Sequence, residues 1–252
     1  MIDLTGKSII GNGEASGIGR AAALLLSSLG ARVTLGDRTE DAGAALVEEI
    51  AAAGGSAQFV RCDVTNEDDV EQLVASTVSR WGRLDGAFNN AGLPNTGKDL
   101  HELSWDEMER VYSVNVKGVF LCLKYEIREM LRTGGGSIVN TASASSLVAF
   151  PQAADYVSSK HAVLGLTRTA ALDYAQRNIR VNCIMPGTVH TPMLDALFAT
   201  APETKAFLES RIPMGRLGKP EEMADTVAWM LSDRASYVTG AGVSIDGAYT
   251  AT

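Results

Sequence analysis

Seven short apolar runs alternate along this chain with longer amphipathic ones, and that alternation leaves few folds open. The runs span residues 7–11, 31–36, 57–61, 84–88, 136–140, 179–184 and 242–245. They carry few alternating polar positions, as strands covered on both faces do. Between them, 18–29, 40–53, 66–80, 105–132, 153–177 and 220–231 read as helices. Thr65 is placed to cap 66–80, and Ser104 with Glu107 three positions on opens 105–132 with a capping-box pattern. Pro220, Glu221 and Glu222 suit the first turn of 220–231. Strand–helix alternation repeated this often predicts an α/β fold, a doubly wound parallel sheet of about seven strands. Right-handed crossovers then place helices on both faces. No stretch reads as a linker and no internal repeat is visible, so residues 1–252 are expected to form a single domain.

Composition excludes other classes. Apolar residues make up 46% of the chain and charged residues 21%, which is a globular balance rather than a disordered one. Thirty acidic residues against 22 basic ones give a net charge of −8. Such a surface repels phosphate backbones and anionic lipids, so neither nucleic acid nor membrane is expected as a partner. The start, MIDLTGKSII, shows no secretory pattern, and no apolar run approaches a membrane span. A cytoplasmic protein is expected. Cys62, Cys122 and Cys183 are widely spaced, and His101, His161 and His190 form no cluster. They predict buried thiols and no metal site.

The first strand runs into Gly11-Asn12-Gly13-Glu14-Ala15-Ser16-Gly17-Ile18-Gly19, followed by a helix of small residues. Gly13 permits a tight turn, Gly17 close approach to a pyrophosphate, and Gly19 close packing of the helix on the sheet. The helix start then offers free N–H groups and a positive dipole end to phosphates. Asp37 ends the second strand 24 residues after Gly13. A carboxylate there accepts hydrogen bonds from both ribose hydroxyls and repels a 2′-phosphate, which favours NAD. No Lys or Arg lies between Gly13 and Gly19 to offset that preference, though Arg38 follows Asp37.

With these residues in view, the chain resembles a classical short-chain dehydrogenase/reductase over essentially its whole length. Residues 12–19 match the family's Thr-Gly-x-x-x-Gly-x-Gly, except that Asn12 stands in place of Thr. Asp63 and Val64 resemble the pair that contacts adenine, and Asn89-Asn90-Ala91-Gly92 the segment that flanks the cofactor. Asn115, Ser143, Tyr156 and Lys160 match the catalytic tetrad. Pro186-Gly187, Val189 and Thr191 match the segment that holds the nicotinamide. The resemblance implies a Rossmann fold and NAD held by Gly13, Ser16, Gly17, Ile18, Gly19, Asp37, Asp63, Val64, Asn90, Ala91, Gly92, Tyr156, Lys160, Pro186, Gly187, Val189 and Thr191. It also implies a substrate lid over about 188–215 and a homotetramer, with the apolar segment 243–251 suited to a subunit contact.

The chemistry follows from a few side chains. Tyr156 and Lys160 are four residues apart and share a helix face. A free phenol has a pKa near 10, so only about one in a thousand is ionised at pH 7. A cationic Lys160 and an oxidised nicotinamide would supply the roughly 4 kcal/mol needed to bring it near neutrality. Tyr156 would then take the proton of a secondary alcohol as hydride leaves the carbinol carbon, with Ser143 holding the same oxygen. By resemblance, Lys160 also binds the nicotinamide ribose, and the backbone carbonyl of Asn115 holds a relay water. Read without the family, Asn115 is a polar residue disturbing a helix.

Segments 93–96, 144–151 and 193–198 contain no Lys or Arg, so a neutral, fairly apolar alcohol or ketone is expected. Met193, Leu194, Leu197 and Phe198 are candidate pocket residues, while Trp105 and Trp229 read as packing residues. The alternatives are a 3-oxoacyl thioester reductase, against which Asp37 weighs, and a non-catalytic nucleotide sensor, against which the intact tetrad weighs. Gly11 and Asn12 replace an aliphatic residue and Thr, which predicts a working but looser phosphate loop.

Overall fold

Strand β1 (Ser8–Asn12) is buried at every position, and its side chains alternate between the two faces of a sheet. Ile9 enters one apolar cluster and Ile10 the other. The same alternation recurs in β5 (Gly136–Thr141), where Ile138 and Val139 go to opposite sides. A strand with two buried faces requires helices above and below it, and both are present in the computed structural model, which describes residues 1–201 and 203–251.

The remaining strands are β2 (Arg32–Asp37), β3 (Ser56–Arg61), β4 (Gly86–Asn89), β6 (Ile179–Pro186) and β7 (Gly242–Ile245). All pairings are parallel, in the order β3-β2-β1-β4-β5-β6-β7. Each expected strand is present within two residues of its predicted ends. Helices α1 (Gly17–Ser28), α2 (Glu40–Ala52) and α9 (Pro220–Leu231) cover one face. Helices α3 (Glu67–Trp81), α5 (Val119–Thr133) and α6 (Ala154–Tyr174) cover the other. Helix α4 (Trp105–Tyr112) leads into α5, and α7 (Pro192–Thr200) and α8 (Glu203–Ser210) lie between β6 and α9. The chain leaves β3 at one edge of the sheet and re-enters beside β1 as β4. The order therefore reverses between β1 and β4, where such folds bind ligands beyond the strand C-termini.

Local signals held with three corrections. The Ser104–Glu107 capping box is formed, but the cap of α3 is Asn66, which accepts from Asp68 N, while Thr65 turns back to Asp63. The stretch 105–132 is not one regular helix, because a π-helical turn at Ser113–Gly118 separates α4 from α5. Trp105 is 73% exposed and does not pack within the chain, whereas Trp229 lies against the core. Among the described residues, no helix is long and apolar enough to cross a membrane.

Candidate active site

Between β1 and α1 the chain makes a tight loop. Gly13 has φ 71°, and a Cβ there would stand 2.7 Å from Ala91 Cα, so only glycine suits it. A Cβ on Gly19 would meet Gly13 O at 2.3 Å and Glu14 Cα at 2.8 Å. Gly19 thus makes room for the loop to fold over the helix start, rather than for the helix to approach the sheet. Ser16, at the cap position of α1, makes no side-chain capping bond, so the first N–H groups are left for an anion.

The missing side chain at position 11 leaves no hollow in this loop. The space a side chain at Gly11 would fill is taken by Glu14, whose Oε1 would lie 1.5 Å from an added Cβ. Glu14 is buried and neither carboxyl oxygen has a hydrogen-bond partner among the described residues. Burial, with Asp37 nearby, pushes its pKa well above the ordinary carboxylate range. Asn12 is also buried and fully used. Its Oδ1 accepts from Asn90 N (3.0 Å) and Ala91 N (2.9 Å), and its Nδ2 donates to Asn89 Oδ1 (2.6 Å). Asn12 therefore staples β1 to the segment after β4, a task that one threonine hydroxyl cannot complete.

A cleft of about 360 Å³ opens over the loop. Gly13, Ser16, Gly17 and Ile18 line it from the loop, with Asp37, Asp63 and Val64 at one end. Asn90, Ala91, Gly92 and Thr191 line the other. Ala15, Gly36, Thr39, Val114 and Pro192, not singled out from the sequence, complete the walls with Arg38, Cys62 and Leu93. Gly19, Tyr156, Lys160, Pro186, Gly187 and Val189 stand outside it. Gly187 backs onto Asp246 and Val189 is buried, so both shape the backbone that presents Thr191. Asp37 caps Ala15 N (3.1 Å) and Thr39 N (3.0 Å), fixing the end of β2 against the loop. Arg38 lies 3.8 Å from Asp63.

Beyond Gly92 the predicted tetrad converges. A Cβ on Gly92 would stand 3.4 Å from Asn115 Oδ1 and 3.5 Å from Lys160 Nζ. Lys160 donates to the Thr141 carbonyl (2.8 Å), and its Nζ lies 5.6 Å from the centre of the Tyr156 ring. Burial lowers the Lys160 pKa to about 8. Burial also raises the Tyr156 phenol, against which a hydrogen bond with Ser143 works in the other direction. The protein alone therefore opposes the phenolate expected from the sequence. Ser143 follows β5 and opens a short 3-10 turn (Ala144–Ser146), and Ser146 Oγ donates to the Lys160 carbonyl (2.7 Å), fixing that turn to α6. Asn115 sits in the π turn. Its amide accepts from Leu93 N (2.7 Å) and donates to Leu93 O (3.0 Å) and Ser159 Oγ (3.0 Å). It does disturb the helix, and the widened turn delivers it to the site.

Other residues were invisible to sequence reasoning. Asp155, next to Tyr156, is 1% exposed. Its Oδ1 accepts from Tyr156 N (2.8 Å), and its Oδ2 from Thr96 N (2.9 Å) and Thr96 Oγ1 (2.6 Å). An acid in a helix's first turn ordinarily reads as a dipole complement, so nothing flagged it. His190 bonds Asp195 Oδ1 (2.6 Å) and its ring centre lies 6.4 Å from that of Phe198, joining the loop after β6 to α7. His161 faces away and bonds the Val157 carbonyl. The side chains of Met193 and Leu197 lie outside the described residues. Among the described residues, no group of three or more His, Cys, Asp or Glu is placed to hold a metal ion.

A family model described as Enoyl-(Acyl carrier protein) reductase matches residues 11–250. The chain is 48% identical to a 2,5-dichloro-2,5-cyclohexadiene-1,4-diol dehydrogenase of Sphingobium indicum over all of both chains. It is 43% identical to a cyclohexanol dehydrogenase of an Acinetobacter species, covering 94% of this chain and 92% of that one. Among solved structures, a levodione reductase superposes with TM-score 0.91 at 36% identity, over 98% of this chain and 99% of that one.

Proposed function

The chain belongs to the short-chain dehydrogenase/reductase family, and from that premise we propose that it is an NAD(H)-dependent dehydrogenase of small, neutral, cyclic secondary alcohols. The observation that carries this reading is the grouping of Lys160, Tyr156 and Ser143, with Lys160 Nζ beside Gly92 in the wall of a cleft suited to a dinucleotide. The uncapped start of α1 and the Gly13 turn suit a pyrophosphate, and Asp37 suits an unphosphorylated ribose. Charge repulsion and two lost hydrogen bonds disfavour a 2′-phosphate at Asp37 by about 2–4 kcal/mol. Arg38, the nearest candidate to offset this, is engaged with Asp63.

When bound, NAD supplies the hydride acceptor and a positive charge. Tyr156 takes the alcohol proton at its phenol oxygen, and Ser143 holds the same substrate oxygen. Lys160, still largely charged at neutral pH with its pKa about 8, favours the phenolate and binds the nicotinamide ribose. Asn115 fixes Leu93 beside Lys160, and its backbone carbonyl holds the water that links Lys160 to solvent. Residues 188–215 act as the lid of a single domain.

The absence of Lys and Arg from segments 93–96, 144–151 and 193–198 supports a neutral substrate over an acyl thioester. The relatives named for cyclohexanol and a cyclohexadiene diol support a ring. Exposed Trp105, Phe120 and Leu172 on α4, α5 and α6 support a homotetramer, and the reading includes a cytoplasmic location.

The test is a panel of cyclic ketones with NADH or NADPH, followed by the loss of reduced-nicotinamide absorbance. The expected result is a preference for NADH of about 30-fold or more in kcat/KM, corresponding to roughly 2 kcal/mol. Tyr156→Phe should lose about 10³-fold in kcat while keeping NAD affinity. Equal efficiency with both coenzymes, or a preference for thioesters, would overturn the reading.

A further inference from the structure

The segment 93–96 reads Leu93-Pro94-Asn95-Thr96 and is pinned at three of its four residues. Both backbone groups of Leu93 are held by the Asn115 amide. Asn95 Nδ2 donates to the Gln152 carbonyl (3.0 Å), and Gln152 itself is held at φ 59°. Thr96 gives both its N–H and its hydroxyl to one oxygen of Asp155, whose other oxygen takes the Tyr156 N–H. The remaining residue, Pro94, has a fixed φ.

We propose that Asp155 is a positioning residue that locks segment 93–96 to helix α6, so that Tyr156 and one wall of the alcohol pocket form a single rigid body. The assignment rests on reading Tyr156 as the proton-transfer group. Its chemical basis is that a carboxylate accepts at both ends. Three donors converge on Asp155 from two directions, and an amide of the same shape can serve only one direction. Whichever way an asparagine at this position turned, its NH₂ would face an N–H, leaving a buried donor unpaired. An alcohol must present its oxygen to Tyr156 while its ring rests on the wall. A wall that slips relative to Tyr156 loses reactive alignment and admits larger rings.

Two measurements test this. The first is the exchange of the Thr96 and Tyr156 amide hydrogens in the NAD-free protein. Asp155→Asn should accelerate at least one of them by about tenfold or more and Asp155→Ala both, and this readout needs no turnover. The second uses saturating NAD with cyclohexanol as a small probe and decahydro-2-naphthol as a large one. Asp155→Asn should raise the cyclohexanol KM about tenfold and lower kcat, while the NAD Kd stays within about twofold. The ratio of kcat/KM for the large over the small alcohol should rise about fivefold. Thr96→Val, which removes the hydroxyl alone, should raise KM about threefold, and Thr96→Ser should reverse that rise. Unchanged exchange overturns the proposal. So does a lower melting temperature with KM, kcat and the size ratio intact. Faster exchange in Asp155→Asn, beside a wild-type protein that oxidises neither alcohol, would support the lock and overturn the proposed substrate class instead.

Discussion

Gly11 and Glu14 act as one core side chain divided between two positions, since the first leaves the hollow that the second fills. Restoring an aliphatic residue at position 11 therefore overpacks the site. Gly11→Val is expected to cost about 1–3 kcal/mol by displacing the buried carboxyl. Glu14→Ala leaves a void and costs a similar amount. The double variant should recover much of the loss, giving a coupling of about 2 kcal/mol in a urea-unfolding cycle, whereas additive losses would refute the pairing. The departure at position 11 was legible in the sequence, but its partner was not. A glutamate between loop glycines reads as solvated, and only the fold turns it inward. The same holds for Asp155. The tetrad residues were picked out through the resemblance, since Tyr156 and Lys160 at a spacing of four are by themselves a common pair.

At the scale of elements, the sequence marks strands better than it marks how they are fastened. Apolar runs located all seven within two residues. Nothing in them revealed that Asn12 carries three hydrogen bonds from β1, one to Asn89 at the end of β4 and two to the backbone that follows it. Asn12→Thr should destabilise the protein by about 1–3 kcal/mol, since one hydroxyl replaces an amide and at least one buried N–H loses its partner. A thermal melt at or above that of the wild type would contradict this. The π turn at Ser113–Gly118 was hidden for a related reason. One extra residue in a turn shifts the phase of a helix without requiring glycine or proline, so apolar periodicity passes over it. Helix starts were read more surely where a reciprocal pair exists, as at Ser104 and Glu107, than where two adjacent capping types compete, as at Thr65 and Asn66.

For the whole molecule, acidity inside the core sets the pH at which the fold holds best. Glu126 of α5 is 1% exposed and accepts one hydrogen bond, from Asn89 Nδ2 (2.9 Å). Burial raises its pKa from 4.5 to about 7. The unfolded chain releases this proton at lower pH than the folded one, so the neutral acid's contribution is complete below pH 4.5 and is lost as pH rises through about 7. The loss amounts to about 3 kcal/mol. Glu14 adds a loss of the same sign. Melting temperature should fall between about pH 5 and about pH 7, and Glu126→Gln, which keeps the acceptor for Asn89, should flatten the fall. An equal slope in wild type and variant would show that Glu126 is not its source. The sheet order has an effect of another kind. The chain crosses from one side of β1 to the other only after β3, so the residues read as gripping the pyrophosphate and the adenosine lie before residue 65, and those read as touching the alcohol lie after residue 92. A lineage carrying this fold can exchange its substrate while inheriting its preference at the ribose, because Asp37 and the alcohol-facing residues occupy separate stretches of the chain, joined across the seam that Asn12 holds closed.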